Sequence, residues 1–346
     1  MKTLQEFIQE YYPTITVLNS AQLKDKTILI TGASGLIGSN LVSYLDFLNK
    51  REELNLKIVA IHRSSLEKWM PQSAKIRYIQ LDLTENEQVL SNRNKLLRNL
   101  KFQYLIHSAT YAQPKKFLEY PKETVSLNID VLFDLLEQSE KNRATFLYLS
   151  SAEIYGEADK THIPTNEAYF GNVNTLAERA IYTESKRLAE TICYLFSKKI
   201  KIKIARALIA YGPGVKYDDK RVISEFIKKA QEAKEITMMD EGLAQRTFCF
   251  ITDMIEMLLN IMLNGREIAY NVCGKDTITI KNLAKLIART NRAKFNYKFN
   301  ERAVKGTPLI LTLDNNRYLS EFKKKAFVSL NKGLVITSEW FRNLKQ

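Results

Sequence analysis

Thr27–Thr31 (TILIT) runs directly into Gly32-Ala33-Ser34-Gly35-Leu36-Ile37-Gly38, and a helical pattern, Ser39–Lys50, follows at once. A short buried strand, a turn with three glycines and a helix N-terminus, in that order, leave few folds open. The glycines let the backbone turn tightly and approach a pyrophosphate. The helix start meets the charge with N–H groups and its positive dipole. A glycine-rich string alone would be only a turn, but its strand and helix neighbours mark it as a dinucleotide cradle. Gly32, Ser34, Gly35, Leu36, Ile37 and Gly38 are the candidate cofactor contacts.

The chain beyond repeats the same alternation. Lys57–Ile61, Ile76–Leu81, Tyr104–His107, Phe146–Ser150 and Lys203–Ala207 read as short apolar strands, and Glu123–Glu140 and Leu176–Lys198 as long helices. Such alternation predicts an α/β fold: a Rossmann-type doubly wound parallel sheet with helices on both faces. Past Gly212 the pattern weakens into a smaller mixed α/β lobe that takes the substrate, with strands at Thr247–Ile251 and Ala269–Cys273. The expected division is 1–25, a helical extension and linker; 26–211, the dinucleotide-binding domain; and 212–346, the lobe. Some C-terminal segments of the lobe are expected to return to the main domain.

Composition narrows the setting. Among 346 residues, 45% are hydrophobic, enough for a sizeable core. No stretch has signal-peptide or membrane-spanning character. Cys193, Cys249 and Cys273 are far apart, with no disulfide or zinc spacing. No metal is expected, and a reducing cytoplasm is. The formal charge of +14 comes from scattered lysines rather than one block, so no nucleic-acid partner is expected. A basic surface suits polyanionic ligands such as dinucleotides and diphosphate sugars.

The end of the second strand bears on cofactor choice. A carboxylate there would accept from the ribose hydroxyls and repel a 2′-phosphate. The segment is Ile61-His62-Arg63-Ser64-Ser65, with no acid, and Arg63 beside hydroxyls leans the reading to NADP over NAD. Arg63 also reads as a solvated loop cation. Asp82 is placed either to meet the adenine amine or to cap a helix at Thr84–Leu90.

Tyr182-Thr183-Glu184-Ser185-Lys186 sets a phenol and an ammonium four residues apart on one helix face. The ammonium is expected to lower the tyrosine pKa towards neutrality. Alone the pair means little, but Ser150-Ser151-Ala152-Glu153-Ile154-Tyr155-Gly156 follows the fifth strand, where ligands sit in such sheets. Ser151 would bridge a sugar hydroxyl and Tyr182, and Glu153 would add a second base.

Together, the glycine turn, SSAEIYG, the YxxxK helix and Tyr211-Gly212-Pro213 resemble the extended short-chain dehydrogenases that act on nucleotide-sugars. The likeness is strongest to UDP-glucuronate decarboxylases and their 4,6-dehydratase relatives. Tyr169–Glu190 resembles the GxVNPxGPRxxYxxxKRxxE segment, and Gln245-Arg246-Thr247-Phe248 the QTRxF segment. The resemblance implies Ser151, Tyr182 and Lys186 as catalytic triad and Glu153 as auxiliary. It implies Arg179 and Arg246 on the sugar or diphosphate, with Tyr111 and Arg221 as further substrate contacts. His62, Arg63, Ser64, Asp82, Leu83, Ala109, Tyr182 and Lys186 complete the cofactor set. It also implies a homodimer, built as a four-helix bundle from the helices near Glu123–Glu140 and Leu176–Lys198, and a role in surface polysaccharide biosynthesis.

Three departures matter. Ala152 stands where dehydratases keep Asp or Ser, leaving no obvious proton donor for a departing C6 hydroxyl. Ile209 replaces a phosphate-contacting Asn, and the acid of the second strand is missing. C4 oxidation is the shared first step implied. Decarboxylation, plain C4 dehydrogenation or ketoreduction, and C4 epimerisation all survive Ala152 better than 4,6-dehydration does. A catalytically silent cofactor-binding protein is the non-enzymatic alternative.

Overall fold

A computed structural model describes residues 2–84, 97–298 and 309–345. Seven parallel strands form the main sheet: β1 (Thr27–Thr31), β2 (Lys57–His62), β3 (Ile76–Gln80), β4 (Tyr104–His107), β5 (Thr145–Ser151), β6 (Ile202–Ala207) and β10 (Ala269–Val272). Their order is β10-β6-β5-β4-β1-β2-β3. The chain builds outward from β1 on one side, then crosses to β4 on the other. That reversal opens a crevice at the carboxyl ends of β1 and β4, where a doubly wound sheet binds its ligand.

Alternation along β1 explains the two-faced core. Ile28 and Ile30 join a cluster with Leu41, Leu45 and Leu48 of the helix Leu36–Arg51 and with Met254 and Leu258 of the helix Ile251–Asn264. Leu29 faces the other way, among Val131, Leu135, Ala189 and Ile192. Helices therefore cover both faces. The remaining strands lie apart from this sheet. β9 (Gln245–Phe250) pairs with β7 (Ile209–Tyr211), β11 (Thr277–Thr279) and β13 (Ile310–Leu311), while β8 (Glu235–Met238) pairs with β12 (Lys294–Tyr297). The strand expected in the lobe near Ala269 instead extends the main sheet, pairing with β6.

Two helix expectations are corrected, and one helix was not foreseen. The single helix over Glu123–Glu140 is two, Pro121–Asn128 and Asp130–Asn142, broken at Ile129 (φ −119°, ψ −66°). Leu127, Val131, Leu132 and Leu135 are all buried in one cluster, so the apolar spacing continues across the break and hides it. An unforeseen helix, Pro114–Glu119, precedes them, with Pro114 in its first turn. The catalytic helix runs Ala180–Phe196 rather than from Leu176. Residues 175–179 form successive turns instead, with Leu176 N donating to Asn174 Oδ1 at 3.0 Å and Ala180 N to Ala177 O at 2.8 Å.

Residues 1–25 hold the expected helix, at Leu4–Ile8, and the rest of the segment packs on the domain. Leu4, Ile8, Tyr12, Ile15 and Leu23 are buried. Thr16 N donates to Glu256 Oε2 at 3.1 Å, Leu18 N to Asn260 Oδ1 at 2.8 Å, and Asn260 Nδ2 returns to Thr16 O at 2.8 Å. Glu256 and Asp253, both buried, share the Lys324 ammonium at 3.0 Å each. No described helix is long and apolar enough to cross a membrane.

Candidate active site

The glycine turn has the shape that a pyrophosphate requires. Gly32 is left-handed (φ +71°), and a Cβ there would lie 2.8 Å from Ala109 N, just behind the turn. A Cβ on Gly38 would lie 2.2 Å from Gly32 O, so only glycine lets the helix pack so closely on the strand end. A Cβ on Gly35 meets only Gly32 O, at 3.3 Å, so its outer side is open. No side chain caps the helix that starts at Leu36. Its first turn thus presents backbone donors to that open side. These residues fit a dinucleotide.

At the end of β2, Ser64 O holds His62 Nδ1 at 2.8 Å, and the Ser64 hydroxyl lies 3.3 Å from that of Ser34. Arg63 is half exposed but not without partners. It reaches past the end of β1 to Tyr111, its guanidinium 4.7 Å from the ring centroid and donating to the phenol oxygen. Tyr111, expected on the substrate, thus stands beside a cofactor-side residue and stacks on Tyr120 (5.4 Å, 16°). Asp82 Oδ1 accepts from Thr84 N and Oγ1 at 2.9 and 2.6 Å, a helix-capping geometry, while Oδ2 lies 4.0 Å from Arg63 Nε. The helix expected to follow falls on residues outside the described ones. Leu83 is buried.

Ser151 ends β5 and begins a short turn, its Oγ accepting from Glu153 N at 3.2 Å. The same hydroxyl faces the Tyr182 phenol closely enough to oppose the rise of its pKa. Lys186, one helical turn beyond, is buried: its Nζ donates to Leu149 O at 2.8 Å and lies 6.0 Å from the Tyr182 ring centre. The three predicted residues are thus brought together, but their electrostatics differ from expectation. Burial raises the Tyr182 pKa well above the ordinary phenol range, and the Glu153 charge raises it further; Ser151 and Arg179 oppose them. Burial pushes Lys186 down to about 7. Desolvation disfavours both charged forms, and here it outweighs the attraction that the spacing suggested.

Around this group the polar side chains converge. Arg179 is ion-paired with Glu153. Arg246, on β9, donates to the carbonyls of Gln245 and Leu309 at 2.7 and 3.2 Å. It feels both the Glu153 carboxylate and the Arg179 guanidinium, and burial lowers its pKa. One arginine is therefore paired with the carboxylate beside Tyr182, and a second, from a distant part of the chain, lies within electrostatic reach of it. Arg221 is more removed, clasping Asp219 (Nη2 to Oδ2, 2.9 Å), which also accepts from Gln113 at 3.0 Å.

Several neighbours were not expected. Phe117, in the helix Pro114–Glu119, stacks on Tyr182, and the Arg179 guanidinium lies 5.4 Å over Phe117. Behind the site, Glu190 accepts from Ser150 Oγ at 2.5 Å and pairs with Arg206 at 2.8 Å. Arg206 in turn donates to Tyr155, and Tyr155 to Asn271 of β10, both at 2.8 Å. Nothing in an arginine on a strand marks it as a partner of the segment after Ser151. Lys216 Nζ lies 3.2 Å from Ser64 Oγ.

Residues 28–273 match the model of the NAD dependent epimerase/dehydratase family. The chain belongs to that family. It is thus an enzyme of the extended short-chain dehydrogenase type, as its motifs implied. It is 32% identical over 269 residues to UDP-glucuronic acid decarboxylase 6 of Arabidopsis thaliana, covering 75% of this chain and 73% of that relative. It is 27% identical over 290 residues to UDP-glucuronic acid decarboxylase 1 of Xenopus tropicalis, covering 83% and 65%. The fold matches UDP-glucose 4-epimerase of Thermotoga maritima (TM-score 0.78, 22% identity, 92% of this chain and 100% of that one). It also matches UDP-glucuronic acid 4-epimerase of Bacillus cereus, solved with UDP-glucuronic acid and NAD (TM-score 0.75, 22% identity, 92% and 99%).

Proposed function

We propose that the enzyme oxidises C4 of a nucleotide-sugar, with UDP-glucuronate as substrate and decarboxylation as the outcome. The observation that carries this reading is the Arg179–Glu153 ion pair beside Tyr182, with the Arg246 guanidinium within electrostatic reach of both partners. A cationic pair next to a buried phenol suits an anionic sugar whose hydroxyl must lose a proton. The names of the relatives support the same substrate.

When bound, the nicotinamide ring supplies the hydride acceptor. Tyr182 would take the C4 hydroxyl proton as phenolate, a form that burial opposes and that the positive charge of an oxidised nicotinamide and of the Lys186 ammonium would favour, with Ser151 hydrogen-bonding the same oxygens. The C4 ketone makes the C6 carboxylate that of a β-keto acid. The C5–C6 bond then breaks, its electron pair passing into the carbonyl as an enolate while carbon dioxide leaves. That step needs no acid at position 152, where the Ala152 side chain is buried among Ile154, Tyr155 and Leu208. Arg179 and Arg246 hold the sugar anion or diphosphate, and Glu153 orients Arg179.

NADP is the cofactor favoured by the acid-free end of β2, with Arg63 and Ser64 beside it. A cytoplasmic homodimer is supported by exposed apolar side chains on the helices Asp130–Asn142 and Ala180–Phe196: Phe133, Leu188, Tyr194 and Leu195. Surface polysaccharide supply is the use that the resemblance implies. The test is incubation with UDP-glucuronate, UDP-glucose and their GDP-, CDP- and dTDP-linked counterparts, following cofactor absorbance and product mass. Carbon dioxide release is expected, with a UDP-pentose as product where C5 takes a proton and the hydride returns to C4, and a UDP-4-ketopentose with reduced cofactor where the hydride is kept. A product of unchanged mass with inverted C4 would replace decarboxylation by epimerisation, and no turnover on any sugar would overturn the proposal.

A further inference from the structure

The polar groups at the end of β2 include one that arrives from far along the chain. β7 ends at Tyr211, and the segment after it is pinned onto the helix Leu36–Arg51. Asn40 Nδ2 donates to Pro213 O at 2.9 Å. Gly214 is left-handed (φ +93°), and a Cβ there would lie 2.5 Å from that same Asn40 nitrogen. The close approach therefore requires glycine. Two residues later, Lys216 extends its ammonium to 3.2 Å from Ser64 Oγ, whose oxygen also lies 3.3 Å from Ser34 Oγ in the glycine turn. Two hydroxyls and one ammonium thus meet beside the dinucleotide cradle, with Arg63 the next residue before Ser64.

We infer that Lys216 is a cofactor-specificity residue, its ammonium, with Ser34 and Ser64, receiving the 2′-phosphate of the adenosine ribose of NADP. The inference rests on the reading of NADP as cofactor and adds a residue to it. A phosphate monoester near neutral pH is close to a dianion with strong acceptor oxygens. A lysine supplies a compact charge with three donors, and serine hydroxyls complete the shell. Two carboxylates stand nearby: Glu67 holds Lys216 at 3.1 Å and Asp82 lies 4.0 Å from Arg63. Glu67 and Lys216 are both partly exposed, so the pair is held weakly and exchanges readily for a doubly charged phosphate. The glycine-pinned segment holds the backbone before Lys216 close to the helix Leu36–Arg51 in either case.

The experiment is titration calorimetry of the full chain with NADPH and with NADH, which reads binding rather than turnover. In Lys216→Met, NADPH affinity should fall about 10- to 100-fold, the worth of a lost charge-assisted hydrogen bond, with NADH unchanged. In Glu67→Gln, NADPH should bind more tightly, a gain that a damaged fold cannot produce. A native enzyme that prefers NADPH and keeps that preference undiminished in Lys216→Met overturns the inference alone. So does a Lys216→Met enzyme that loses both nucleotides equally, or a Glu67→Gln enzyme with no gain for NADPH. A native enzyme that binds NADPH no more tightly than NADH overturns the NADP reading itself, and this inference with it.

Discussion

Phe117 and Tyr182 lie face to face, ring centroids 4.8 Å apart and planes 12° from parallel. The stack fixes the plane of the ring whose oxygen must meet the sugar hydroxyl, and a guanidinium covers Phe117 as well. Phe117→Leu keeps apolar volume but loses the stack. Turnover should fall roughly 2- to 10-fold, the worth of one aromatic pair, with cofactor affinity unchanged. Steady-state kinetics beside a binding titration would check it.

Tyr182→Phe keeps that stack and removes only the oxygen. Cofactor binding should persist while the rate drops by about 10²–10⁴-fold. Single-turnover absorbance of the reduced cofactor is the measurement. A near-native rate would remove Tyr182 from the chemistry. Glu153→Gln should instead weaken substrate binding through Arg179 and leave C4 oxidation measurable.

The buried ammonium of Lys186 gives a pH dependence with a definite sign. In the folded chain it loses its proton at about 7, whereas the ordinary lysine value is 10.5. Between these values the unfolded chain binds the extra proton, so stability should rise with pH across that window. Lys186→Met removes the group and should flatten that rise. Thermal midpoints at pH 7 and pH 9 for both proteins would show it.

Lys324 is the shared counter-charge of two buried carboxylates. Lys324→Met leaves Asp253 and Glu256 buried and uncompensated, and should cost about 3–5 kcal/mol. Urea unfolding would measure the loss. Because Glu256 also accepts from Thr16 N, amide exchange at Thr16 should accelerate in the same variant.

If the helices Asp130–Asn142 and Ala180–Phe196 meet their copies, charges on their exposed apolar faces should keep subunits apart. The double variant Leu188→Glu, Leu195→Glu should run as a monomer under conditions where the native chain is a dimer. Light scattering at micromolar concentration decides between them.

What the sequence made legible follows from range. The glycine turn, Ser151 and the Tyr182–Lys186 pair depend on spacings within a single turn or helix, so their placement could be read directly. Phe117 could not be, because an aromatic in a short amphipathic helix looks like core until its neighbour is known. Lys216 reaches Ser64 only through the fold, across 152 positions. The tyrosine pKa was misread because a four-residue spacing reports proximity to an ammonium but not how deeply both groups are buried. The break at Ile129 stayed hidden because the apolar pattern runs through it unbroken.

The N-terminal segment also bears on how the chain comes off the ribosome. Thr16 finds its carboxylate partner 240 residues later, and the edge strand β10 emerges later still. At roughly 5–20 residues per second, Thr16 waits about 12–50 s for Glu256 to be synthesised. Phe7 meets Trp340 edge-on at 5.3 Å and Lys2 N donates to Asn343 Oδ1 at 3.0 Å, so this segment's packing is completed only by the last helix to be made. A nascent chain of this protein thus carries an unfinished apolar surface through most of its translation, and its first residues are among the last to settle.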